Sequence, residues 1–115
     1  MEIENNHINY VEFKASDLES VKAFYQEVFA WEFTDYGPEY TAFSNSGLEG
    51  GFELSTEEIV KGALVVLYHE DLELVKNKVI SAGGTIAIDT FSFPGGRRFH
   101  FKDPSGNELA VWSEQ

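Results

Sequence analysis

A hexapeptide occurs twice in this chain. Asp17-Leu18-Glu19-Ser20-Val21-Lys22 and Asp71-Leu72-Glu73-Leu74-Val75-Lys76 agree at five of six positions, 54 residues apart. Both copies sit where a helix opens, and the segments around them recur in the same order, so the chain reads as one unit duplicated. The units are expected at about 7–60 and 61–114, within a single domain covering 1–115.

The first unit opens with His7–Ala15, whose alternation sends Tyr10 and Glu12 to one face and Val11 and Phe13 to the other, as in a strand. Ser16, with Glu19 three residues on, then forms a capping box, and the stripe Leu18, Val21, Phe24/Tyr25, Val28 predicts a helix to about Phe29. Since neighbours on a helix point about a hundred degrees apart, one of Phe24 and Tyr25 should be core and the other at the stripe's edge. Strand-like runs follow at Trp31–Tyr36, Tyr40–Phe43 and about Gly51–Leu54, separated by Gly/Pro/Asn turns. The second unit repeats the plan with a strand at Ala63–Tyr68, a helix at Asp71–Ala82 closed by Gly83-Gly84, and strand candidates at Thr85–Ile88, Phe91–Phe93, Arg97–Phe101 and Glu108–Trp112. Each unit is thus β-α-β-β-β.

Composition narrows what such a domain can do. Hydrophobic residues make up 43% and aromatics 15%, enough for a packed core, while a net charge of −12 repels nucleic-acid phosphates and anionic lipid. Nucleic acid and membrane are therefore not expected partners. With no cysteine, chemistry has to come from carboxylates, His, Tyr or a bound metal. Met1-Glu2-Ile3-Glu4-Asn5-Asn6 lacks the blocks of a secretory signal, and no run approaches 18 apolar residues, so a cytoplasmic location is expected.

Several motifs together resemble a known family. They are the duplicated plan, the run into Ala15-Ser16-Asp17-Leu18, Phe24-Tyr25 with Val28-Phe29-Ala30-Trp31 after it, the Ala82-Gly83-Gly84 helix end, and Phe101-Lys102-Asp103-Pro104-Ser105-Gly106-Asn107-Glu108. The set resembles the vicinal-oxygen-chelate superfamily of glyoxalase I, bleomycin-resistance proteins and extradiol dioxygenases. The resemblance implies an α+β fold in which each module's sheet curves into a half-barrel, with helices outside and a cavity inside, and commonly a homodimer. It also implies, in enzymatic members, a divalent metal held by four side chains, one from the first and one from the last strand of each module. Carried over, those positions fall on Tyr10, Glu53, Leu64 (Ala63 if the register slips by one) and Ala110. Only Glu53 is a standard donor, with Tyr10 a weak second, so no metal and no cofactor is expected.

The histidines do not restore the set by position. His7 reads as a solvated strand-entry residue and His69 as a polar residue near the second helix. His100 differs: in Arg97-Arg98-Phe99-His100-Phe101, alternation puts Phe99 and Phe101 under the helices and Arg98 and His100 on the concave side. Leu109 and Val111 should join the Phe pair, leaving Glu108, Ala110 and Trp112 concave. The expected ligand-binding face is therefore Tyr10, Glu12, Glu53, Tyr68, Arg98, His100 and Trp112. Arg98 suits an anionic group, Trp112 and Tyr68 a flat apolar body, and Glu53 or His100 are the candidate proton carriers. Phe93-Pro94-Gly95-Gly96-Arg97-Arg98 reads as a flexible rim loop. Three functions stay open: metal-free sequestration of a small organic molecule in a dimeric cavity, an enzyme with a rearranged metal site or metal-free acid–base chemistry, and an interaction module with a filled cavity.

Overall fold

A computed structural model describes residue 5 and residues 9–59 and 62–114. His7 and the junction of the two units at 60 and 61 lie outside the described residues. The elements run β1 (Tyr10–Ala15), α1 (Leu18–Phe29), β2 (Glu32–Asp35), β3 (Tyr40–Ser44), β4 (Glu49–Leu54), then β5 (Val65–Tyr68), α2 (Leu72–Ser81), β6 (Thr85–Phe93), β7 (Gly96–Lys102) and β8 (Glu108–Ser113). Each half is β-α-β-β-β. The halves form two four-stranded sheets of the same topology, β1-β4-β3-β2 and β5-β8-β7-β6, each with one parallel pair at its β1 or β5 edge, and neither closes into a barrel. Thr85–Ile88 and Phe91–Phe93, separate in the sequence reading, are one strand: β6 stays on β7 through register shifts on either side of Ile88. Pro94-Gly95 closes the β6–β7 hairpin, with Gly95 at φ 116°.

The duplication extends to the tertiary contacts. Lys22 bridges Glu19 and Asp35 at 2.7 and 3.1 Å, and Lys76, 54 residues later, bridges Glu73 and Asp89 at 3.4 and 2.7 Å. Each lysine ties its helix to the strand that follows. Both helices are capped by an aspartate: Asp17 accepts from the Glu19 N–H at 3.0 Å and Asp71 from the Leu74 N–H at 3.2 Å. The first cap is therefore Asp17 and not Ser16. Ser16 is drawn away by the far end of the chain, its N–H donating to Ser105 Oγ at 3.1 Å.

Phe24 and Tyr25 are both buried, at 1% and 0% exposure, where one was expected at the stripe's edge. The reason is that α1 packs against both sheets. Phe24 meets Phe101 of β7 at 5.8 Å, while Tyr25 stacks on Trp31 at 4.5 Å and packs on Phe52 of β4 at 5.3 Å. The core lies between helices and sheets, with Phe99, Phe101, Leu109 and Val111 pointing into it as alternation requires.

The turn after β7 latches the two halves together. Asp103 Oδ1 accepts from the backbone of Ser105 and Asn107, and Oδ2 accepts from the Tyr25 hydroxyl and the Asn107 amide, all at 2.9–3.0 Å. Asn107 also donates to the carbonyl of Lys14 at 2.9 Å. Burial pushes the Asp103 carboxyl above its usual range, against the downward pull of these bonds.

Candidate functional site

The strand pairing decides which side chains are neighbours. In the first module the face away from the helices carries Tyr10, Glu12 and Lys14 of β1 alongside Glu49, Gly51 and Glu53 of β4. Two of the candidate positions are therefore separated: Tyr10 stands opposite Glu49, and Glu53 lies four residues further along, opposite Lys14. Glu53 is ion-paired with the Lys14 ammonium, and the Tyr10 hydroxyl is hydrogen-bonded to that of Tyr40. Burial, followed by hydrogen bonds to Tyr10 and Glu12, holds the Tyr40 phenol above its ordinary range, so it acts as a neutral hydroxyl. Tyr40 reaches this position by lying over Gly51, where a Cβ would collide with its hydroxyl.

In the second module the same face carries Val66 and Tyr68 of β5, Glu108, Ala110 and Trp112 of β8, and Arg98 and His100 of β7. These side chains form a connected lattice. Tyr68 meets Trp112 edge-on at 5.1 Å, Trp112 lies 6.4 Å from Phe93, and Arg98 sits over both Phe93 and Phe91, at 5.7 and 5.2 Å. His100 packs against Phe91 at 5.9 Å and directs Nδ1 to Glu108 Oε2 at 2.9 Å. Because an ionised carboxylate only accepts, Glu108 fixes the proton on Nδ1. Phe91, Phe93, Tyr40 and Lys14 belong to the two faces and were not among the seven residues expected there. Parity along β1 would have found Lys14; a bulge hid Phe91, since it breaks the parity of β6.

The seven expected residues do not surround one cavity. β1 and β5 are the facing edges of the two sheets, and a groove with two mouths runs between them. One mouth, about 440 Å³, brings Glu12 together with His100 and Glu108; the other, about 580 Å³, is lined by Tyr10, Tyr68, Trp31, Phe43 and neighbouring apolar residues. Val11, Phe13, Ala63 and Val65 line both mouths. Glu53, Arg98 and Trp112 lie outside these mouths on the open sheet faces.

The metal centre implied by the resemblance does not fit these residues. Tyr10 is bonded to Tyr40, Glu53 is neutralised by Lys14 at a distance of four residues, and Leu64 and Ala110 offer no donor. Among the described residues no three His, Cys, Asp or Glu side chains gather as a metal would require. Nor, among those residues, is any helix long and apolar enough to cross a membrane.

Comparisons with known proteins agree with this architecture. A glyoxalase/bleomycin-resistance-family enzyme from Burkholderia phytofirmans superposes with a TM-score of 0.81 at 17% identity, covering 93% of this chain and 98% of that one. A lactoylglutathione lyase from Agrobacterium tumefaciens gives 0.69 at 17% identity over 94% and 93%, and TioX from Micromonospora gives 0.71 at 15% over 96% and 100%. At such identities the likeness is one of fold. No curated protein sequence matches. The family model described as glyoxalase/bleomycin resistance protein/dioxygenase superfamily matches residues 7–111, and the chain belongs to that superfamily.

Proposed function

We propose that this protein is a glyoxalase-like binder of small organic molecules that works without a metal and acts as a homodimer. The observation that carries the reading is a contrast between donors and apolar surface. Of the positions that would grip a cation, Leu64 and Ala110 carry no donor, Tyr10 is hydrogen-bonded to Tyr40 and Glu53 is paired with Lys14, whereas the pocket that Tyr10 lines is about 580 Å³ and walled mostly by aromatic and aliphatic side chains. Dimerisation is supported by the exposed apolar residues of the second module, with Val66 at 42%, Tyr68 at 53% and Ile88 at 45%. The first sixty residues hold thirteen carboxylates and two lysines, and the last fifty-five hold seven against six lysines and arginines, so the nearly neutral second module is the half on which two copies repel least. Salt should screen the repulsion between two acidic chains and strengthen an association through these apolar residues. Sedimentation at low and high ionic strength tests it: a monomer at both would remove the dimer from the proposal.

Binding is tested by thermal shift against a panel of planar and apolar metabolites on protein of known metal content. A ligand at a hundred times Kd adds about 2.7 kcal/mol, or roughly 10 °C for a domain of this size. Val65→Trp, which fills the groove, should cancel the response. Stoichiometric metal lost on Glu53→Ala would overturn the metal-free reading, and no response from any class would favour an interaction module. A second reading, metal-free acid–base catalysis, is favoured by one observation, the His100–Glu108 pair on the wall of the smaller mouth.

A further inference from the structure

Among the described residues, three buried side-chain polar atoms have no hydrogen-bond partner: Thr90 Oγ1, Arg98 Nε and His100 Nε2. All three belong to the β6–β7 pair, where the register slips between Ile88 and Phe91 opposite His100 and Arg98. Each such atom costs about 1–3 kcal/mol, and two of them, Arg98 Nε and His100 Nε2, lie two residues apart on one face of β7, where a single ligand can meet both. We propose that this stretch is a carboxylate subsite, closed here by Phe91, whose natural ligand is an aromatic carboxylate. The proposal rests on the small-molecule reading above and specifies the ligand's chemistry.

The side chains favour that class. Phe91 and Phe93 attract the Arg98 guanidinium through their ring faces but offer it no acceptor, so its Nε–H is left for one. A carboxylate matches the planar edge of a guanidinium with two parallel bonds. Two residues along the same strand face, His100 is 6% exposed and held by Glu108 at Nδ1, which turns Nε2 away from that carboxylate. With Nδ1 taken up by Glu108, Nε2 is the ring nitrogen left to meet a ligand. The Tyr68–Trp112–Phe93 chain continues from Arg98 and supplies a surface for a flat ring. Phe91 touches both Arg98 and His100, is 36% exposed and ends the bulge, so its ring can rotate outward without breaking the strand ladder.

The test is a titration of the isotopically labelled full chain with benzoate, with benzamide as the uncharged isostere. Benzoate should move the Arg98 Nε and His100 Nε2 resonances saturably, and benzamide should not. Arg98→Met should weaken benzoate at least about tenfold, while Lys78→Met, which removes an exposed charge from α2, should leave affinity unchanged. Phe91→Ala should speed carbethoxylation of His100 by diethyl pyrocarbonate, with benzoate protecting. Equal binding of benzamide, or an unaltered Arg98→Met affinity, overturns the subsite. If neutral aromatics bind in the groove and benzoate does not, the subsite falls and the small-molecule reading stands. If nothing binds, both fall.

Discussion

Lys14 and Glu53 face each other across β1 and β4; at the corresponding places on β5 and β8 stand Tyr68 and Trp112. One fold position thus holds an ion pair in the first module and an edge-on aromatic pair in the second. The same divergence separates Gly51 from Ala110, and Glu12 from Val66. On the helix side nothing comparable happened: both aspartate caps and both lysine bridges survive in register. Duplication kept what holds a helix on a sheet and released the open faces. One face became acidic and phenolic, the other aromatic with a single guanidinium, so a ligand or partner meets two chemically different walls.

The largest test of this asymmetry is the latch, which only the second module has. Asp103→Ala strands the Tyr25 hydroxyl, the Asn107 amide and two backbone N–H groups, and should cost about 3 kcal/mol or more in urea unfolding. Asn45, in the first module's corresponding turn, donates one bond to the Ala30 carbonyl, so Asn45→Ala should cost about 1 kcal/mol. Similar losses would mean the halves are held alike.

Glycine exchange ranks next. A Cβ on Gly51 would meet the Tyr40 ring and the Thr41 carbonyl at 2.8 Å, so Gly51→Ala should cost about 2 kcal/mol and disrupt the Tyr10–Tyr40 contact. Ala110→Gly, removing one buried methyl from the matching place, should cost about 1 kcal/mol. Smaller again is the face pair itself. Trp112→Ala should lose about 1–2 kcal/mol of packing, whereas Lys14→Ala, at an exposed ion pair, should leave the unfolding midpoint unchanged.

The smallest effect compares pH responses. Lys22 and Lys76 pull Asp35 and Asp89 below their ordinary range, so both bridges stabilise above the unfolded value near 3.9 and are lost as pH falls through the depressed ones. Lys22→Met and Lys76→Met should flatten acid unfolding to the same slight extent if the repeat is symmetric on this side. Asp103 runs oppositely: with its value raised, its proton linkage favours the fold at acid pH and fades as pH rises through the raised value. Asp103→Asn should remove that component, seen as a stability difference from wild type that narrows as pH rises from the unfolded value near 3.9 through the raised one.

Much of this was legible in the residues. Alternation in β1, β5, β7 and β8 assigned Phe99, Phe101, Leu109 and Val111 to the core and Tyr10, Tyr68, Arg98 and Trp112 to the other face, because a strand's period of two admits no third direction. What failed were features set at a distance. Asp17 caps α1 in place of Ser16, whose hydroxyl is turned instead to that of Ser105, 89 positions away. Phe24 and Tyr25 are both buried because a second sheet covers α1, and Phe91 escaped notice because a bulge cancels parity.

The chain's own residues determined the duplicated plan, the core and the absence of donors at Leu64 and Ala110, all of which depend on periodicity or side-chain chemistry that each residue carries with it. The tertiary structure alone decided that Tyr10 and Glu53 stand apart, that Lys14 neutralises Glu53, and that the seven expected residues divide between a groove and two open faces. Register and the approach of two sheet edges set those relations, and they arise only when segments far apart in sequence are fixed against one another.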